Sequence, residues 1–481
     1  MKAALFSLIA FAALAAEPEF PLTADSKPQP GVAKGTMSKG SYTAREGSVF
    51  PGTLREYQLY LPAGFDKTRP TPFMVFQDGV IYQAPVVFDN LIARKVIPPL
   101  VGVFIKPGAL PAVNDNALPR FNRSYEYDSL TDTYSRFLID EFLPALEAEH
   151  GLRFSTDPNH AAIAGNSSGG ICAFMAAWHR PDRFRRVFTG VGTYVGIRGA
   201  DRLPVLVRKI EPKPLRVFLQ SGTGDNNLYC GDWWMANQMM ERSLAWAGYE
   251  VKHAWGEGGH NQKHASQVFP EAMQWLWRDW QTDIEVKANP RGESKWKGYE
   301  VVGSGGWQRT ELAGGRFLAV DAEGRVTVSA KANDRTVNQG GTRYEREGAH
   351  TTLSPDQSLL VWSTSENRFL HSQSAADGQH DQAFHLLEAD YEDRLKAGGL
   401  CVDTNGWLYV ATSLGIQVCD QAGRVNFIIP TPQSPHDVCF GGKDLSELFI
   451  ACGDTIYKRP TKARGVVSGQ QAPIKPPPPK L

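Results

Sequence analysis

The sequence predicts an α/β domain with a mostly parallel sheet flanked by helices, followed by an all-β C-terminal domain. Between residues 36 and 285, short apolar runs alternate with segments of helical periodicity, a pattern typical of parallel strands covered by helices on both faces. One of these runs leads into a turn of small residues, Gly165–Gly170, and then into a helical segment. After residue 299, short strand-like runs recur with Gly and Asp turns. The 481 residues are enough for both domains.

The predicted elements of the first domain follow from this alternation. Gly35–Glu46 and Thr53–Leu61 predict an edge hairpin with its turn at Phe50–Gly52. Further strands are predicted at Phe73–Gly79, Leu100–Lys106, Ala161–Gly165, Arg186–Val191, Leu215–Gln220 and Val251–Trp255. Helices are predicted at Val86–Val96, Leu130–Glu149, Ile171–Trp178, Trp233–Ala247 and Ala265–Trp280. In such sheets the ligand site lies at the carboxyl ends of the strands.

The second domain is predicted from four related segments. Each combines an apolar run with an Asp-containing turn and leads into a strand; they are Leu318–Gly324, Leu353–Gln357, Leu400–Gly406 and Val438–Asp444. Their spacing of about 30 to 50 residues is typical of propeller blades. We therefore expect a partial β-propeller over residues 300–465, after a polar linker at 286–299. A Pro-rich tail at 466–481 is expected to be disordered.

The N-terminus has the pattern of a secretory signal peptide over residues 1–15, followed by a leader arm at 16–35. Lys2 forms the positive region, Ala3–Leu14 the apolar region, and Ala13–Ala15 an A-x-A cleavage site. The apolar run is too short to span a bilayer. We therefore expect a secreted or periplasmic protein without a membrane span.

Charge and cysteine content exclude several classes of function. The 51 basic and 51 acidic residues balance, which argues against nucleic acid as a partner. None of the six cysteines forms a C-x-x-C pair, so no metal site is predicted and no cofactor is expected. Export would permit disulfides, but buried free thiols are the preferred interpretation.

The turn at Gly165–Gly169 matches the G-x-S-x-G pattern of a nucleophile elbow, with Ser167 as the nucleophile. The flanking residues must be small so that the strand before and the helix after can approach each other. A Gly-rich loop that only caps a helix would give the same five letters, so the interpretation depends on the strand–turn–helix context and on partner residues downstream.

Both partners follow late predicted strands in the order Ser, Asp, His. Asp225 follows Leu215–Gln220, and His260 follows Val251–Trp255 in a Gly-rich turn. A serine needs a base, and the base needs an orienting carboxylate. Asp232 is an alternative acid, although it is also a good N-cap for the next helix. His264 is expected to lie on the surface.

Backbone groups near the elbow complete the candidate site. The N–H of Ser168 and an N–H of Asp78 or Gly79 are predicted to form an oxyanion hole. Three aromatic residues follow the acid loop and could stack on a sugar or an aromatic acyl group, with core packing as the equal alternative; they are Tyr229, Trp233 and Trp234.

Five short motifs together resemble the putative esterase family, which includes enterochelin esterases, esterase D, and feruloyl and acetylxylan esterases. They are Phe50–Thr53, Phe76–Gly79, Arg123–Tyr127, Gly165–Gly169 and Gly258–Asn261. The resemblance covers about residues 36–285 and implies an α/β-hydrolase fold with Ser167, Asp225 and His260 as the catalytic triad. Gly222–Asp225 matches the G-T-x-D stretch that carries the acid in feruloyl esterases.

Residues 300–465 are similar to gluconolactonase (regucalcin-type) propellers, most clearly at Gly399–Asp403, Tyr409–Thr412 and Gly415–Val418. The aspartate that binds metal in that family is replaced here by Gly398. The expected asparagine is replaced by Ala349 or His350. The resemblance therefore implies a domain that binds carbohydrate, packs on the esterase or mediates assembly.

The sequence thus predicts a secreted serine esterase acting through an acyl-enzyme on a small-molecule or polysaccharide ester, with feruloyl or acetyl esters of carbohydrates preferred. A siderophore or small-ester esterase is the alternative within this class. A metal-dependent sugar lactonase and a non-catalytic carbohydrate-binding protein are alternatives from other classes.

Overall fold

The structure is a computed structural model that describes residues 19–286, 294–303, 305–312, 315–329, 337–339, 342–344, 349–364, 367–467 and 469–479. The predicted signal peptide lies outside these residues. The chain forms two compact units. The first comprises Met1–Asp201, Leu215–Glu241 and Val251–Ile284, and the second comprises Arg202–Pro214, Arg242–Glu250 and Glu285–Leu481.

A ten-stranded sheet forms the centre of the first unit. Its order is β12-β9-β8-β7-β3-β4-β2-β5-β6, and β1 pairs with β2. The neighbours β4, β3, β7, β8 and β9 are parallel, while β1 and β2 form the predicted antiparallel edge hairpin. The strands are β1 Thr36–Thr43, β2 Leu54–Leu61, β3 Phe73–Gln77, β4 Val101–Ile105, β5 Ala109–Leu110, β6 Arg120–Phe121, β7 Ala161–Asn166, β8 Arg186–Gly190, β9 Arg216–Gly224 and β12 Glu250–Gly259. Asn227–Leu228 (β10) and Gly231–Asp232 (β11) form a separate hairpin.

The five predicted helices lie close to their predicted positions, and two short helices, Arg123–Tyr127 and Leu203–Lys209, were not predicted. The helices are α1 Ala84–Ala93, α2 Arg123–Tyr127, α3 Thr133–Arg136, α4 Leu143–His150, α5 Ser168–His179, α6 Leu203–Lys209, α7 Trp233–Ala247 and α8 Lys263–Trp277. The helix predicted at Leu130–Glu149 is wrong in one respect, because a π-helical segment, Phe137–Phe142, separates α3 from α4. Amphipathic spacing alone does not distinguish a π turn from a continuous α-helix.

Alternation along the strands separates the two faces of the sheet. Phe76, Phe188 and Phe218 are fully buried in one cluster with residues of α1 and α8. The intervening residues of each strand point to the opposite face, where α5 packs against β3, β7 and β8. The predicted fold class, a mostly parallel sheet flanked by helices, is therefore confirmed.

The leader arm is fixed to the first unit through several contacts. Phe20 stacks on His264 with ring centroids 4.5 Å apart. The Asn90 side-chain amide donates to the carbonyls of Asp25 and Lys27 at 2.8 and 2.9 Å. The expectation that His264 lies on the surface is wrong. The residue is 8 % exposed because the arm covers it, and its Nδ1 lies 3.1 Å from the Gln220 side-chain nitrogen.

A buried ion pair links the edge hairpin to α2. The guanidinium of Arg55 donates to both carboxylate oxygens of Glu126 at 3.0 and 3.1 Å, and both side chains are 0 % exposed. Arg55 also lies 4.0 Å over the Phe137 ring, and the N–H of Gly108 donates to Glu126. Removing one charge from such a pair leaves the other buried without compensation.

We expect Glu126→Gln to destabilise the first unit by about 3 kcal/mol, because Arg55 would keep a buried charge without its carboxylate. The measurement is the unfolding free energy from urea denaturation. Glu56→Gln is the matched control, since Glu56 pairs with Lys106 at the surface, where the two side chains are 70 % and 56 % exposed. An effect of Glu126→Gln as small as that of the control would contradict the argument.

The described strands of the second unit form antiparallel sheets. Their orders are β13-β28-β27-β26, β14-β15, β16-β17, β18-β19-β20-β21 and β25-β24-β23-β22-β29. The strands are β13 Gln308–Arg309, β14 Phe317–Val320, β15 Val326–Ser329, β16 Val337–Gln339, β17 Thr342–Tyr344, β18 Ala349–Leu353, β19 Leu359–Thr364, β20 Phe369–Ser374, β21 Gln382–Leu386, β22 Leu400–Asp403, β23 Leu408–Thr412, β24 Gly415–Cys419, β25 Val425–Ile429, β26 Asp437–Gly441, β27 Glu447–Cys452, β28 Thr455–Pro460 and β29 Gly465–Val466.

Each of the four related sequence segments leads from one strand through a turn into its antiparallel neighbour: β14 to β15, β18 to β19, β22 to β23, and β26 to β27. The sheets are the all-β architecture that the sequence predicts, and closure into a propeller stays a prediction. Residues 469–479 lack regular structure, and the Ile474 N–H donates to the Pro355 carbonyl. None of the six cysteines, all of which lie within the described residues, forms a disulfide. Among the described residues, no helix combines the length and apolar character needed to cross a bilayer.

Two equivalent aspartates in these repeats have opposite environments. Asp403 is buried, and burial raises its pKa to about 6 even though its carboxylate accepts from the N–H groups of Asn405 and Trp407. The partly exposed Asp321 accepts from the Arg325 backbone N–H at 2.8 Å, which lowers its pKa. The shared sequence pattern therefore gives the same turn with opposite electrostatic consequences.

Between pH 4 and 6 the folded unit keeps a proton on Asp403 that the unfolded chain releases, so stability falls as pH rises through this range. We expect Asp403→Asn to remove this dependence, with the variant gaining about 2 kcal/mol relative to wild type between pH 4 and 7. Calorimetry at each pH tests this.

Asp321→Asn is the control, and we expect the opposite trend. The lowered pKa of Asp321 contributes stability to the wild type that is lost as pH falls. The stability deficit of Asp321→Asn relative to wild type should therefore be largest at neutral pH. If both variants followed the same pH trend, the distinction between the two sites would be wrong.

Candidate active site

Ser167 occupies a strained turn between β7 and α5. Its φ and ψ are 59° and −124°, a region that residues other than glycine rarely adopt. A Cβ added to Gly165 would lie 2.1 Å from the Gly169 carbonyl oxygen, and one added to Gly170 would lie 3.1 Å from Gly192 Cα. Glycine at these positions therefore permits the close approach that the predicted elbow requires.

The structure brings the three predicted side chains of the candidate triad into one line. His260 Nε2 lies 2.7 Å from Ser167 Oγ, and His260 Nδ1 lies 2.6 Å from Asp225 Oδ1. The Asp225 side chain is fully buried, and His260 is 20 % exposed. Burial at Asp225 and access at His260 are what an orienting acid and a proton carrier need.

Asp225 is held by further donors from its own loop. The Ser221 hydroxyl donates to Asp225 Oδ2 at 2.8 Å, and the Asn226 N–H donates to Oδ1 at 2.8 Å. The alternative acid, Asp232, instead accepts from the Met235 N–H at 3.0 Å, as an N-cap of α7 does. The contact with His260 is therefore made by Asp225.

The predicted oxyanion donors have different positions. Ser168 is the first residue of α5, so its N–H is one that the helix itself does not use. Asp78 follows β3 at φ 65°, and its carboxylate accepts two hydrogen bonds from Arg123, both at 2.8 Å. The assignment of Gly79 needs correction. Its N–H donates to the Ile105 carbonyl at 3.2 Å and is already used in the sheet.

The three aromatic candidates separate in the structure. Trp233 is 3 % exposed and packs edge-to-face on His260 with ring centroids 5.5 Å apart, so it presents no face to a substrate. Trp234 packs edge-to-face on Trp255 at 5.3 Å. Tyr229 is 96 % exposed at the tip of the β10–β11 hairpin. Core packing is thus the correct alternative for Trp233.

Sequence reasoning missed Thr193, which lies in the loop after β8. Its Oγ1 is 3.4 Å from Ser167 Oγ and 3.2 Å from Trp233 Nε1. Its N–H donates to the Ser167 carbonyl at 3.2 Å. The only sequence signal was its place after a predicted parallel strand, where site residues collect.

Comparison with known proteins identifies two regions. Residues 48–276 match the family described as putative esterase, and residues 350–453 match the SMP-30/gluconolactonase/LRE-like region. The chain therefore joins a region similar to esterases to a region similar to gluconolactonases.

Two iron(III) enterobactin esterases are similar to part of the chain. That of Dickeya dadantii is 31% identical over 152 residues, and that of Escherichia coli is 29% identical over 161 residues. These matches cover 28% and 31% of this chain. The chain spans only 33% and 37% of the length of these curated relatives.

Solved structures of two kinds are also similar. The enterochelin esterase of Shigella flexneri has a TM-score of 0.42 and 20% identity, covering 53% of this chain and 61% of that chain. A ferulic acid esterase of Anaeromyces mucronatus has a TM-score of 0.41 and 17% identity, covering 53% of this chain and 94% of that chain.

If Asp225 is the acid that orients His260, Asp225→Asn should lower kcat for ester hydrolysis by about 10⁴-fold while leaving the fold intact, because the imidazole would adopt the wrong tautomer. Asp232→Asn is the matched control and should keep wild-type kcat. Steady-state kinetics on a chromogenic ester would contradict the assignment if Asp232→Asn were the impaired variant.

Proposed function

We propose that the protein is a serine carboxylic-ester hydrolase with Ser167 as nucleophile, His260 as general base and acid, and Asp225 as the orienting carboxylate. The observation that carries the proposal is the line of contacts from Ser167 Oγ through His260 to Asp225, at 2.7 and 2.6 Å. The match of residues 48–276 to the putative esterase family supports it independently.

The geometry supports an acyl-enzyme mechanism. His260 Nε2 accepts the Ser167 proton as Oγ attacks the ester carbonyl, and the N–H groups of Ser168 and Asp78 donate to the oxyanion that forms. His260 then gives the proton to the leaving alcohol. Water attacks the acyl-enzyme by the same route in reverse, which returns the proton to Ser167 and releases the carboxylic acid.

For the substrate, we propose acyl esters of carbohydrates, with feruloyl or acetyl as the acyl group. Tyr229 is exposed and Trp234 is half-buried, and both follow the acid loop in sequence, so aromatic side chains are accessible there to a sugar or a phenolic ring. A siderophore or other small ester is the alternative, favoured by the two iron(III) enterobactin esterases among the relatives.

A second candidate function is a metal-dependent sugar lactonase in the second unit, favoured by the gluconolactonase-like match at 350–453. Among the residues that the structure describes, no group of three or more His, Cys, Asp or Glu side chains is placed to hold a metal ion. Chelation therefore distinguishes the two functions by experiment.

We expect Ser167→Ala to lower hydrolysis of p-nitrophenyl acetate and methyl ferulate by about a thousandfold or more, because the nucleophile is lost. Wild-type activity should resist EDTA. Ser41→Ala, an exposed serine of β1, is the control and should be fully active. Activity that survived Ser167→Ala and disappeared with EDTA would move the chemistry to the second unit.

We also propose that the protein is exported, on the basis of the signal-peptide pattern at residues 1–15. Export would place the enzyme where polymeric esters are accessible. Mass spectrometry of the mature protein would test the proposal, with an N-terminus at Ala16 as the expected result.

A further inference from the structure

We infer that Thr193 and Trp233 form a donor relay that directs a hydrogen bond onto the nucleophile oxygen, with Thr193 as a catalytic residue and Trp233 as its positioning residue. This inference rests on the proposed function. The observation behind it is that Thr193 Oγ1 lies between Trp233 Nε1, at 3.2 Å, and Ser167 Oγ, at 3.4 Å.

The direction of each hydrogen bond follows from which groups can donate. Indole Nε1–H only donates, so Trp233 donates to Thr193 Oγ1. A carboxylate accepts, so with Asp225 as the orienting carboxylate His260 Nδ1 is the donor and His260 Nε2 accepts from Ser167. The single proton of Ser167 is thereby used.

The contact between the two hydroxyls then has one possible donor. Because Ser167 Oγ–H is directed at His260, the Thr193 hydroxyl must donate to Ser167 Oγ. The hydrogen bonds run in one direction, from Trp233 through Thr193 and Ser167 to His260 and Asp225. Thr193 keeps its own proton throughout the reaction.

The local structure fixes both members of the relay. Thr193 is 1 % exposed, and its N–H donates to the Ser167 carbonyl. The fully buried Asn237 side chain donates to the carbonyls of Gly192 and Trp233 at 2.8 and 2.9 Å. One amide therefore sets the spacing between the threonine loop and the indole.

A donor at this position acts mainly during the reaction. The 3.4 Å separation is long for a hydroxyl pair, and catalytic hydrogen bonds of this kind tighten when charge develops. As Ser167 loses its proton, negative charge grows on Oγ and the Thr193 hydrogen bond strengthens. The hydroxyl also holds Oγ in the rotamer that faces His260.

Thr193→Val removes the hydroxyl at nearly constant shape. We expect kcat to fall about tenfold with KM almost unchanged, and covalent labelling of Ser167 by a fluorophosphonate to slow by the same factor. Thr193→Ser should restore both rates to within about twofold, since it restores the donor. A Thr193→Val enzyme with wild-type kcat would overturn the inference, as would a Thr193→Ser enzyme as slow as Thr193→Val.

Trp233→Phe keeps a six-membered aromatic ring and removes the pyrrole ring that carries the N–H. We expect an intermediate loss of about threefold in kcat, and no further loss when it is combined with Thr193→Val, because the indole N–H reaches Ser167 only through Thr193. Additive losses in the double variant would overturn the relay. If Thr193→Val does not fold, Trp233→Phe alone decides, since wild-type kcat in that variant contradicts the inference.

Ser167→Ala separates this inference from the proposed function. If Ser167→Ala is inactive and Thr193→Val is fully active, the relay is refuted and the proposed esterase function stands. An active Ser167→Ala enzyme removes both. Circular dichroism and melting temperature are recorded for every variant, because a purely structural role would change stability without slowing the labelling rate of folded enzyme.

Discussion

The backbone strain at Ser167 is the constraint on which the rest of the site depends. A non-glycine residue at φ 59° persists only where the surrounding structure holds it. Here a parallel strand, the helix α5 and the loop at Gly192 converge on one residue, and each approach requires a missing Cβ. The N–H of Ser167 donates to the Gly190 carbonyl at 2.8 Å, which ties the turn to β8. The sheet therefore supplies the rigidity that keeps Ser167 in a strained backbone conformation.

The topology of the sheet explains why residues distant in sequence meet. Ser167 follows β7, Thr193 follows β8, Asp225 follows β9 and His260 follows β12. These strands are consecutive in the sheet order, so their loops gather at one edge. Each strand contributes one side chain to the site. The loops after the strands close the remaining distance, since Ser167 and His260 follow the two outer strands of this set, β7 and β12, and still lie 2.7 Å apart. The fold therefore determines which residues meet, and the conformations of their loops and side chains determine the order of the hydrogen-bonded line.

The parts of this arrangement that follow from local pattern were predictable from sequence. Buried runs give strands, and the small residues around Ser167, Asp225 and His260 identify the turns that carry the chemistry. Burial and hydrogen-bond partners depend on tertiary packing, which the local sequence pattern does not contain. The sequence offers Asp78 and Gly79 equally as oxyanion donors. In the structure the N–H of Gly79 donates to the Ile105 carbonyl, so this group is already used. The sequence predicts a surface position for His264. In the structure Phe20 of the leader arm, 244 positions earlier in the chain, stacks on His264 and covers it. The equivalent aspartates Asp321 and Asp403 differ for the same reason, because burial depends on neighbours in space.

Trp233 shows how a buried N–H can give an aromatic residue a role in hydrogen bonding instead of substrate stacking. Beside a candidate active site an indole suggests a stacking surface, and its burial removes that use. Burial also obliges the N–H to find an acceptor, since an unpaired donor costs free energy in the interior. The acceptor that the fold supplies is Thr193, whose remaining donor faces the nucleophile. The need to satisfy one buried N–H thus fixes the orientation of the Thr193 hydroxyl toward the nucleophile, so that packing contributes to the chemistry.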